Sequence, residues 1–333
     1  MPDLRMRVLG RSGLRVSELC LGTMTFGTEW GFGADEDTCR AVYRAFRDAG
    51  GNYVDTANVY TNGTSEEMLG RFAATDRDEL VLGTKFTLPT TADPNSGGSH
   101  RKSLRRSVEA SLRRLGTDHL DVLWVHAWDR CTPVEETLRA LDDLVRSGLV
   151  LALGVSNTPA WVISRAQAVA ELRGWASFCG VQVEYSLVAR TAERELLPMA
   201  EELGLSVSAW SPLARGLLTG KVTDAAALRR SRAAARAIEA ASHVAEEAGT
   251  SVARVGLAWV LQRGLLPLVG ARTVEQLEDN LAAVDLTLDR DQLRRLDEAT
   301  AIRPGHPHDF LATKQAVLTP AGVAASGQRS GEV

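Results

Sequence analysis

Short apolar segments alternate with amphipathic segments along most of the chain. The amphipathic segments carry apolar residues at helical spacing, as Val42, Phe46 and Ala49 do, and polar caps, glycines or prolines bound several of them. The apolar segments are nearly continuous, which is typical of parallel strands covered on both faces. The predicted strands are Ser17–Gly27, Asn52–Ala57, Leu80–Phe86, Leu120–His126, Val150–Ser156, Phe178–Tyr185, Leu205–Trp210 and Leu265–Gly270. The predicted helices cover residues 35–49, 65–74, 100–115, 134–147, 159–173, 193–203, 225–248, 251–262, 273–284 and 289–300.

This alternation is the pattern of βα units around a parallel sheet. Eight strands in 333 residues predict an α/β fold, namely a single (β/α)8 TIM barrel. The alternative is a doubly wound open sheet, but its G-x-G-x-x-G fingerprint is missing, since Glu36 stands where the third glycine belongs after Gly31 and Gly33. We expect an N-terminal β-hairpin over residues 5–17, a barrel over residues 1–310 and an extra C-terminal helix. Residues from Ile302 read as irregular, and we expect a poorly ordered tail over residues 311–333.

Composition narrows the class of protein. Apolar residues make up 44% and charged residues 24%, as in ordinary globular proteins. The net charge of −4 argues against nucleic-acid binding, and no apolar run is long enough to span a membrane. The first residues lack the apolar core of a signal peptide, and the four cysteines are far apart, so we expect a cytoplasmic protein with no metal site.

Polar side chains end three successive predicted strands. The second strand ends near Asp55 with Tyr60 five residues later, the third ends at Lys85, and the fourth ends at His126. In a (β/α)8 barrel the C-terminal ends of the strands carry the active site, so these four groups are candidate catalytic residues. An ammonium beside a phenol lowers its pKa, and a buried carboxylate keeps the ammonium charged. Such an assembly suits proton donation to a carbonyl oxygen, with the imidazole as a second hydrogen-bond donor.

The sequence resembles the aldo-keto reductase superfamily over nearly its whole length. The resemblance is carried by an opening segment, three strand-end motifs and four later segments: Gly10–Gly27, Asp55–Tyr60, Thr84–Phe86, Trp124–His126, Gly154–Asn157, Val181–Ser186, Ser208–Lys221 and Gly270–Asn280. The G-G-S-H-R-K-S-L loop and the H-A-W-D motif resemble the bacterial and fungal branch with aryl-alcohol dehydrogenases and sugar ketoreductases. The resemblance implies NADPH-dependent reduction of an aldehyde or ketone, with Tyr60 as general acid, Lys85 and Asp55 tuning it, and His126 orienting the carbonyl.

The same resemblance implies a set of residues that bind NADP(H). Ser156, Asn157 and Gln182 would hold the nicotinamide carboxamide, with Trp210 stacked on the ring. The remaining cofactor residues would be Ser211, Pro212, Leu213, Gly216, Leu217, Gly270, Arg272, Gln276 and Asn280. The last three of these share one helix face at a spacing of four, and Arg272 favours NADP because a guanidinium suits a 2′-phosphate. Asp279 is a further candidate for the adenosine end, with its partner open.

One departure from the resemblance concerns the connection between Lys221 and Ala248, which is short and rich in helix-forming residues. We expect a more open cofactor groove than in relatives with a longer loop there. Arg215 or Lys221, or the basic residues Arg229, Arg230 and Arg232, are candidates to compensate for the missing cover.

The substrate pocket is predicted from large apolar side chains near the strand ends, namely Met24, Trp30, Phe86 and Trp128. They suit an apolar or sugar-like carbonyl compound. Two other functions stay open: an NADPH-binding regulatory subunit with little turnover, and a lyase or isomerase that uses the Lys85 amine in a Schiff base. The physiological substrate, the direction of the reaction and the oligomeric state are not defined by the sequence.

Overall fold

The computed structural model describes residues 3–219 and 232–318, and within them the chain forms a closed barrel of eight parallel strands. An antiparallel pair, β1 (Met6–Val8) and β2 (Arg15–Ser17), precedes it. The barrel strands are β3 (Cys20–Gly22), β4 (Tyr53–Asp55), β5 (Val81–Phe86), β6 (Leu120–Val125), β7 (Val150–Ser156), β8 (Phe178–Glu184), β9 (Ser206–Trp210) and β10 (Leu266–Val269). They follow chain order around the ring, and β10 closes it against β3. The predicted barrel and hairpin are confirmed.

Helices follow the strands, and the first ten described have bounds close to those predicted, although residues 225–231 of the helix predicted at 225–248 lie outside the described residues. They are α1 (Glu36–Asp48), α2 (Thr64–Ala73), α3 (Arg101–Leu115), α4 (Val134–Arg146), α5 (Ala160–Arg173), α6 (Leu196–Glu202), α7 (Arg232–Glu247), α8 (Val252–Gln262), α9 (Val274–Leu281), α10 (Arg290–Thr300) and α11 (His308–Leu318). Asp35 caps α1 by accepting a hydrogen bond from the Thr38 backbone N–H at 2.9 Å. Of the described helices, none has the length and apolar character needed to cross a bilayer.

The chain divides into two compact units, Met1–Thr300 and Ala301–Val333. The first unit ends at Thr300, where α10 ends, and the predicted bounds of 1–310 and 311–333 stay predictions. The second unit contains α11 in a stretch that the sequence predicts to be irregular. Asp309 in the first turn and the good helix formers that follow explain the helix locally. The rest of the predicted tail, residues 319–333, lies outside the described residues.

Alternation along the barrel strands separates two apolar regions. In β6, Leu123 and Val125 pack outward with the helices, whereas Val122 and Trp124 belong to the cluster that fills the lumen. The hairpin contributes Leu9 to this inner cluster, and the side chain is fully buried. The hairpin thus closes the N-terminal end of the barrel, so the polar groups at the other end of the strands form the accessible face.

The Trp124 side chain fills lumen volume next to three glycines on other barrel strands. A Cβ atom on Gly154 would lie 2.2 Å from the indole, and one on Gly83 or Gly180 would lie 3.0 Å or 3.2 Å from it. These three positions face inward on the strands around β6. Glycine is present there because the indole occupies the volume that their side chains would need.

Candidate active site

The four candidate catalytic side chains lie at the C-terminal end of the barrel. Asp55 is the last residue of β4, and Lys85 is the penultimate residue of β5. His126 directly follows β6, and its backbone N–H donates to Phe86 O at 3.1 Å. Tyr60 begins a 3-10 turn in the loop after β4. The structure therefore brings together the four groups that the sequence assigned to successive strand ends.

Lys85 is the centre of this arrangement. Its ammonium forms an ion pair with Asp55 Oδ2 and donates to Thr56 O at 2.7 Å and to Tyr60 OH at 3.1 Å. Lys85 and Asp55 are each only 1% exposed, so the carboxylate is the counter-charge that a buried ammonium requires. An ammonium has three N–H donors, and all three are used. This arrangement disfavours a Schiff base at Lys85, which would need a free amine.

The protonation states suit a proton donor. Burial acts to lower the pKa of Lys85, but Asp55 and Tyr60 outweigh it and raise that pKa, so Lys85 is charged. Burial raises the pKa of Tyr60, and the Lys85 charge offsets only part of this effect. The ammonium does favour the phenolate, as the sequence predicts, yet the net pKa shift is upward because desolvation is larger. Tyr60 is therefore a neutral phenol that holds its proton.

His126 lies beside Tyr60, with ring centroids 6.1 Å apart and planes at 83°. Burial, reinforced by the positive charge of Lys85, lowers the pKa of His126 to about 3. The imidazole is therefore neutral near pH 7 and carries one N–H. Its Nδ1 atom is buried and has no hydrogen-bond partner among the described residues. A neutral imidazole in this position can donate one hydrogen bond without competing with Tyr60 for the role of acid.

Gln182 connects the candidate catalytic group to the far side of the barrel. Its Nε2 atom donates to Asp55 Oδ1 at 3.1 Å, so both carboxylate oxygens of Asp55 are occupied. Ser156 Oγ donates to the Gln182 backbone oxygen at 2.9 Å. Asn157, with φ of 46°, donates from Nδ2 to His126 O at 2.8 Å. The resemblance assigned these residues to a cofactor, but their support of Asp55 and His126 was missed, because strand pairing across the barrel is not visible in local sequence.

Three polar side-chain atoms near this group have no hydrogen-bond partner among the described residues, and together they suit a carboxamide ligand. Asn157 Oδ1 and Gln182 Oε1 accept no hydrogen bond from the described residues, and Trp210 Nε1 is buried without a partner. Trp210 is half-buried at the end of β9 and packs against the lumen cluster. A primary amide offers donors and an acceptor to such groups, and the partly exposed indole offers a face for stacking.

The loop after β9 has several residues with left-handed backbone. Ser211, Ala214 and Arg215 have positive φ values of 51°, 51° and 56°, and Gly216 follows at 93°. The Ala214 and Gly216 N–H groups donate to Ser211 O at 2.8 Å and to Leu213 O at 3.0 Å, so these residues form a tight turn closed by its own hydrogen bonds. Among the described residues, nothing lies within 4 Å of a Cβ atom placed on Gly216, and Arg215 is exposed. Of the neighbouring residues implied by the resemblance, Pro212 is buried while Leu213 and Leu217 are half-buried.

The residues expected at the adenosine end divide into two kinds. Arg272 is exposed, makes no ion pair with the described residues, and its backbone N–H donates to Gln276 Oε1 at 3.0 Å. Gly270 is also exposed. Asn280, by contrast, is only 4% exposed and donates to Gly270 O at 3.4 Å, which ties α9 to the end of β10.

Asp279 finds its partners within the protein. Its carboxylate accepts from Arg254 Nε at 2.7 Å and from Ser251 Oγ at 3.0 Å. Ser251 is the N-cap of α8, so this contact joins the start of α8 to α9. The structure thus accounts for Asp279 without a nucleotide.

The aromatic rim differs in part from the prediction. Met24 and Trp30 are 44% and 38% exposed, and the Trp30 ring meets the Tyr60 ring edge-on at 6.3 Å. Phe32, which the sequence reading left out, is 44% exposed and 5.9 Å from Trp30; the W-G-F spacing was the available signal. Phe86 corrects the prediction: at 1% exposure it belongs to the outer core. Lys85 faces the lumen, so the next residue must face the helices.

Trp128 is half-buried beside the same face, and its backbone N–H donates to Asn157 O at 3.3 Å. Residues 220–231 of the predicted short connection, with Lys221, Arg229 and Arg230, lie outside the described residues. The expected openness of the groove therefore stays a prediction.

Comparison with known proteins gives consistent matches. A family model described as "Aldo/keto reductase family" matches residues 18–301. The chain is 38% identical to a norsolorinic acid reductase of Aspergillus flavus, over 92% of this chain and 83% of the relative. It is 42% identical to an uncharacterised oxidoreductase of Bacillus subtilis, over 87% and 94% of the two chains. An aryl-alcohol dehydrogenase [NADP(+)] of Phanerodontia chrysosporium is 34% identical, over 89% and 86%.

Proposed function

Because the chain belongs to the aldo/keto reductase family, we propose that it reduces an aldehyde or ketone to an alcohol with NADPH, using Tyr60 as the general acid. The family places the chain among oxidoreductases that act on carbonyl compounds. One observation carries the finer proposal: Tyr60 OH lies 3.1 Å from the charged Lys85 and beside the neutral His126, at the accessible end of the barrel.

The chain's own residues would perform the proton transfer. Bound NADPH would supply a hydride to the carbonyl carbon. Tyr60 would give its proton to the carbonyl oxygen, so that the substrate leaves as an alcohol. The resulting phenolate would be stabilised by Lys85, whose charge Asp55 maintains. His126 would donate a hydrogen bond to the same oxygen and hold it near the phenol.

The choice of NADPH rests on the anion-binding features of the chain. The exposed Arg215, in the positive-φ loop around Gly216, would meet the pyrophosphate, and the exposed Arg272 would meet a 2′-phosphate. Ser156, Asn157, Gln182 and Trp210 would hold the nicotinamide. The NADP(+) in the name of one relative supports the same assignment.

An aromatic carbonyl compound is the substrate class that the rim favours. Trp30 and Phe32 leave large ring areas exposed next to Tyr60, and Met24 adds an adaptable apolar side chain. Such rings stack on planar substrates and exclude water from the reacting carbonyl. The aryl-alcohol dehydrogenase among the relatives agrees with this choice.

The experiment is the oxidation of NADPH with benzaldehyde and a panel of aryl ketones by the wild type and by Tyr60→Phe. The variant keeps the ring but not the proton, so kcat is expected to fall on the order of 10²–10⁴-fold while NADPH affinity stays unchanged. Tyr43→Phe is the matched control, because Tyr43 is a buried tyrosine whose hydroxyl donates to Asp76. NADPH binding without turnover of any carbonyl by the wild type would overturn the proposal and favour a regulatory subunit.

A further inference from the structure

A second pocket, of about 320 Å³, lies between the loop after β6 and the first turns of α4 and α5. Its volume falls within the range of small-ligand sites. Its chemistry comes from two indoles, two guanidiniums, a hydroxyl and a carboxylate: Trp128, Trp161, Arg130, Arg165, Thr132 and Glu135. The proposed proton transfer uses none of these groups. Only Trp128 has another predicted role, which is contact with the substrate.

The two indoles form an aromatic corner. Trp128 and Trp161 meet edge to face, with ring centroids 5.4 Å apart and planes at 88°. Trp161 is 61% exposed, although it lies in the first turn of an ordered helix. Most of this ring is in contact with solvent in the folded protein. A planar ligand stacked on it would therefore bury apolar surface that folding leaves exposed.

Cations border this corner. The Arg130 guanidinium lies 5.5 Å from the Trp128 ring centroid, is exposed, and makes no ion pair with the described residues. Arg165 is paired with Glu135 at 2.6 Å, which neutralises both. Arg130 therefore leaves the lining with one uncompensated positive charge, which a carboxylate on the ligand would match.

The wall that carries Arg130 is held in place. Asp129 accepts hydrogen bonds from the Cys131 backbone N–H at 2.8 Å and from Thr132 Oγ1 at 2.5 Å. It also accepts from the Ser99 backbone N–H at 2.8 Å, which ties the wall to the loop after β5. A pre-organised wall lowers the entropy lost on binding, so a small pocket of this kind can bind a ligand measurably.

We propose that this pocket is a binding site for planar aromatic carboxylates, stacked against Trp161 with the carboxylate at Arg130. The site does not depend on the reductase activity, and its occupancy is measurable on the protein alone.

Cys131 provides the test, because it lines the pocket and is exposed, whereas Cys20, Cys39 and Cys179 are buried. The rate of its alkylation by N-ethylmaleimide is followed by peptide mass spectrometry at increasing 2-naphthoate concentration. Protection is expected to saturate, and at ten times Kd only about one-tenth of the pocket is free, so alkylation slows about tenfold. Cyclohexanecarboxylate and 2-naphthamide are expected to protect less, since each lacks one of the two recognised features.

Two variants assign the site. Trp161→Ala is expected to weaken 2-naphthoate about tenfold by removing the stacking face, and Arg130→Gln about two- to fivefold by removing an exposed charge. Leu172→Ala, 85% exposed on the same helix, and Arg105→Gln, exposed on α3, are the controls and should bind as the wild type does. Thermal unfolding checks that each variant is folded. Absence of protection in the wild type, or equal protection in Trp161→Ala, would overturn the proposal whether or not the protein reduces carbonyls.

Discussion

Replacing Asp55 by Asn tests how the buried ammonium is held. In the wild type, Asp55 Oδ2 faces the Lys85 ammonium and Oδ1 accepts from Gln182 Nε2 at 3.1 Å. An Asn side chain has one acceptor oxygen, so its NH₂ group must face one of these two donors. The substitution thus removes the counter-charge and also creates a donor–donor contact in a site that is 1% exposed.

The expected loss of stability is large. Removing one partner of a buried ion pair typically costs about 3–5 kcal/mol, because the other charge is left buried. That is a substantial part of the roughly 5–15 kcal/mol by which a domain is stable. Lys85 keeps its bonds to Thr56 O and Tyr60 OH, so we expect the lower end of this range.

The pH dependence has a definite sign. In the wild type the folded pKa of Lys85 is raised, so its contribution is complete below its ordinary value of 10.5 and is lost only above it. In Asp55→Asn the carboxylate no longer opposes the effect of burial, so burial is expected to lower the pKa of Lys85. The variant is therefore penalised at neutral pH and recovers stability as pH rises toward 10.5, because the unfolded chain then binds more protons.

Urea unfolding of both proteins between about pH 6.5 and 9.5 measures the difference directly. Asp143→Asn is the control, since Asp143 is 38% exposed in its pair with Arg101 and should cost at most about 1 kcal/mol. A difference for Asp55→Asn no larger than that of the control, or one that does not shrink with rising pH, would refute the account of Lys85 given above.

Three further predictions concern the face around His126. Because the pKa of His126 is lowered to about 3, kcat/KM should show no loss from imidazole protonation between pH 8 and 5, and a titration near 6.5 in the pH–rate profile would contradict this. Asp129→Asn should loosen the loop after β5 from the loop after β6, raising KM and the rate of proteolytic cleavage between residues 88 and 100, whereas the exposed Asp291→Asn on α10 should do neither. Gly154→Ala would place a Cβ 2.2 Å from the Trp124 ring and should destabilise the fold by about 1–3 kcal/mol or more in urea unfolding; a neutral result would mean that the indole can move.

The clustering of Asp55, Tyr60, Lys85 and His126 was predictable because its signal is local. An acid, an ammonium and an imidazole at the ends of apolar segments are unusual, and parallel strands bring such ends together. Strand alternation would also have excluded Phe86 from the pocket, since Lys85 and Phe86 are adjacent in β5 and must face opposite sides.

Other features depend on contacts between residues that are far apart in the sequence, and local sequence patterns do not reveal such contacts. The bond from Gln182 to Asp55 joins strands 127 residues apart, and the pairing of Asp279 with Arg254 follows from how α8 and α9 pack. The net direction of the Tyr60 pKa shift required the balance of burial against the Lys85 charge, and burial can be weighed only in a folded structure.

The indole of Trp124 on β6 fills interior volume that side chains on β5, β7 and β8 would otherwise occupy. While the indole is present, Gly83, Gly154 and Gly180 cannot be replaced by larger residues without a clash. Replacing Trp124 alone by a smaller residue would leave a cavity that these glycines cannot fill. Related chains should therefore vary these positions jointly, with a small residue on β6 accompanied by bulkier ones on β5, β7 or β8.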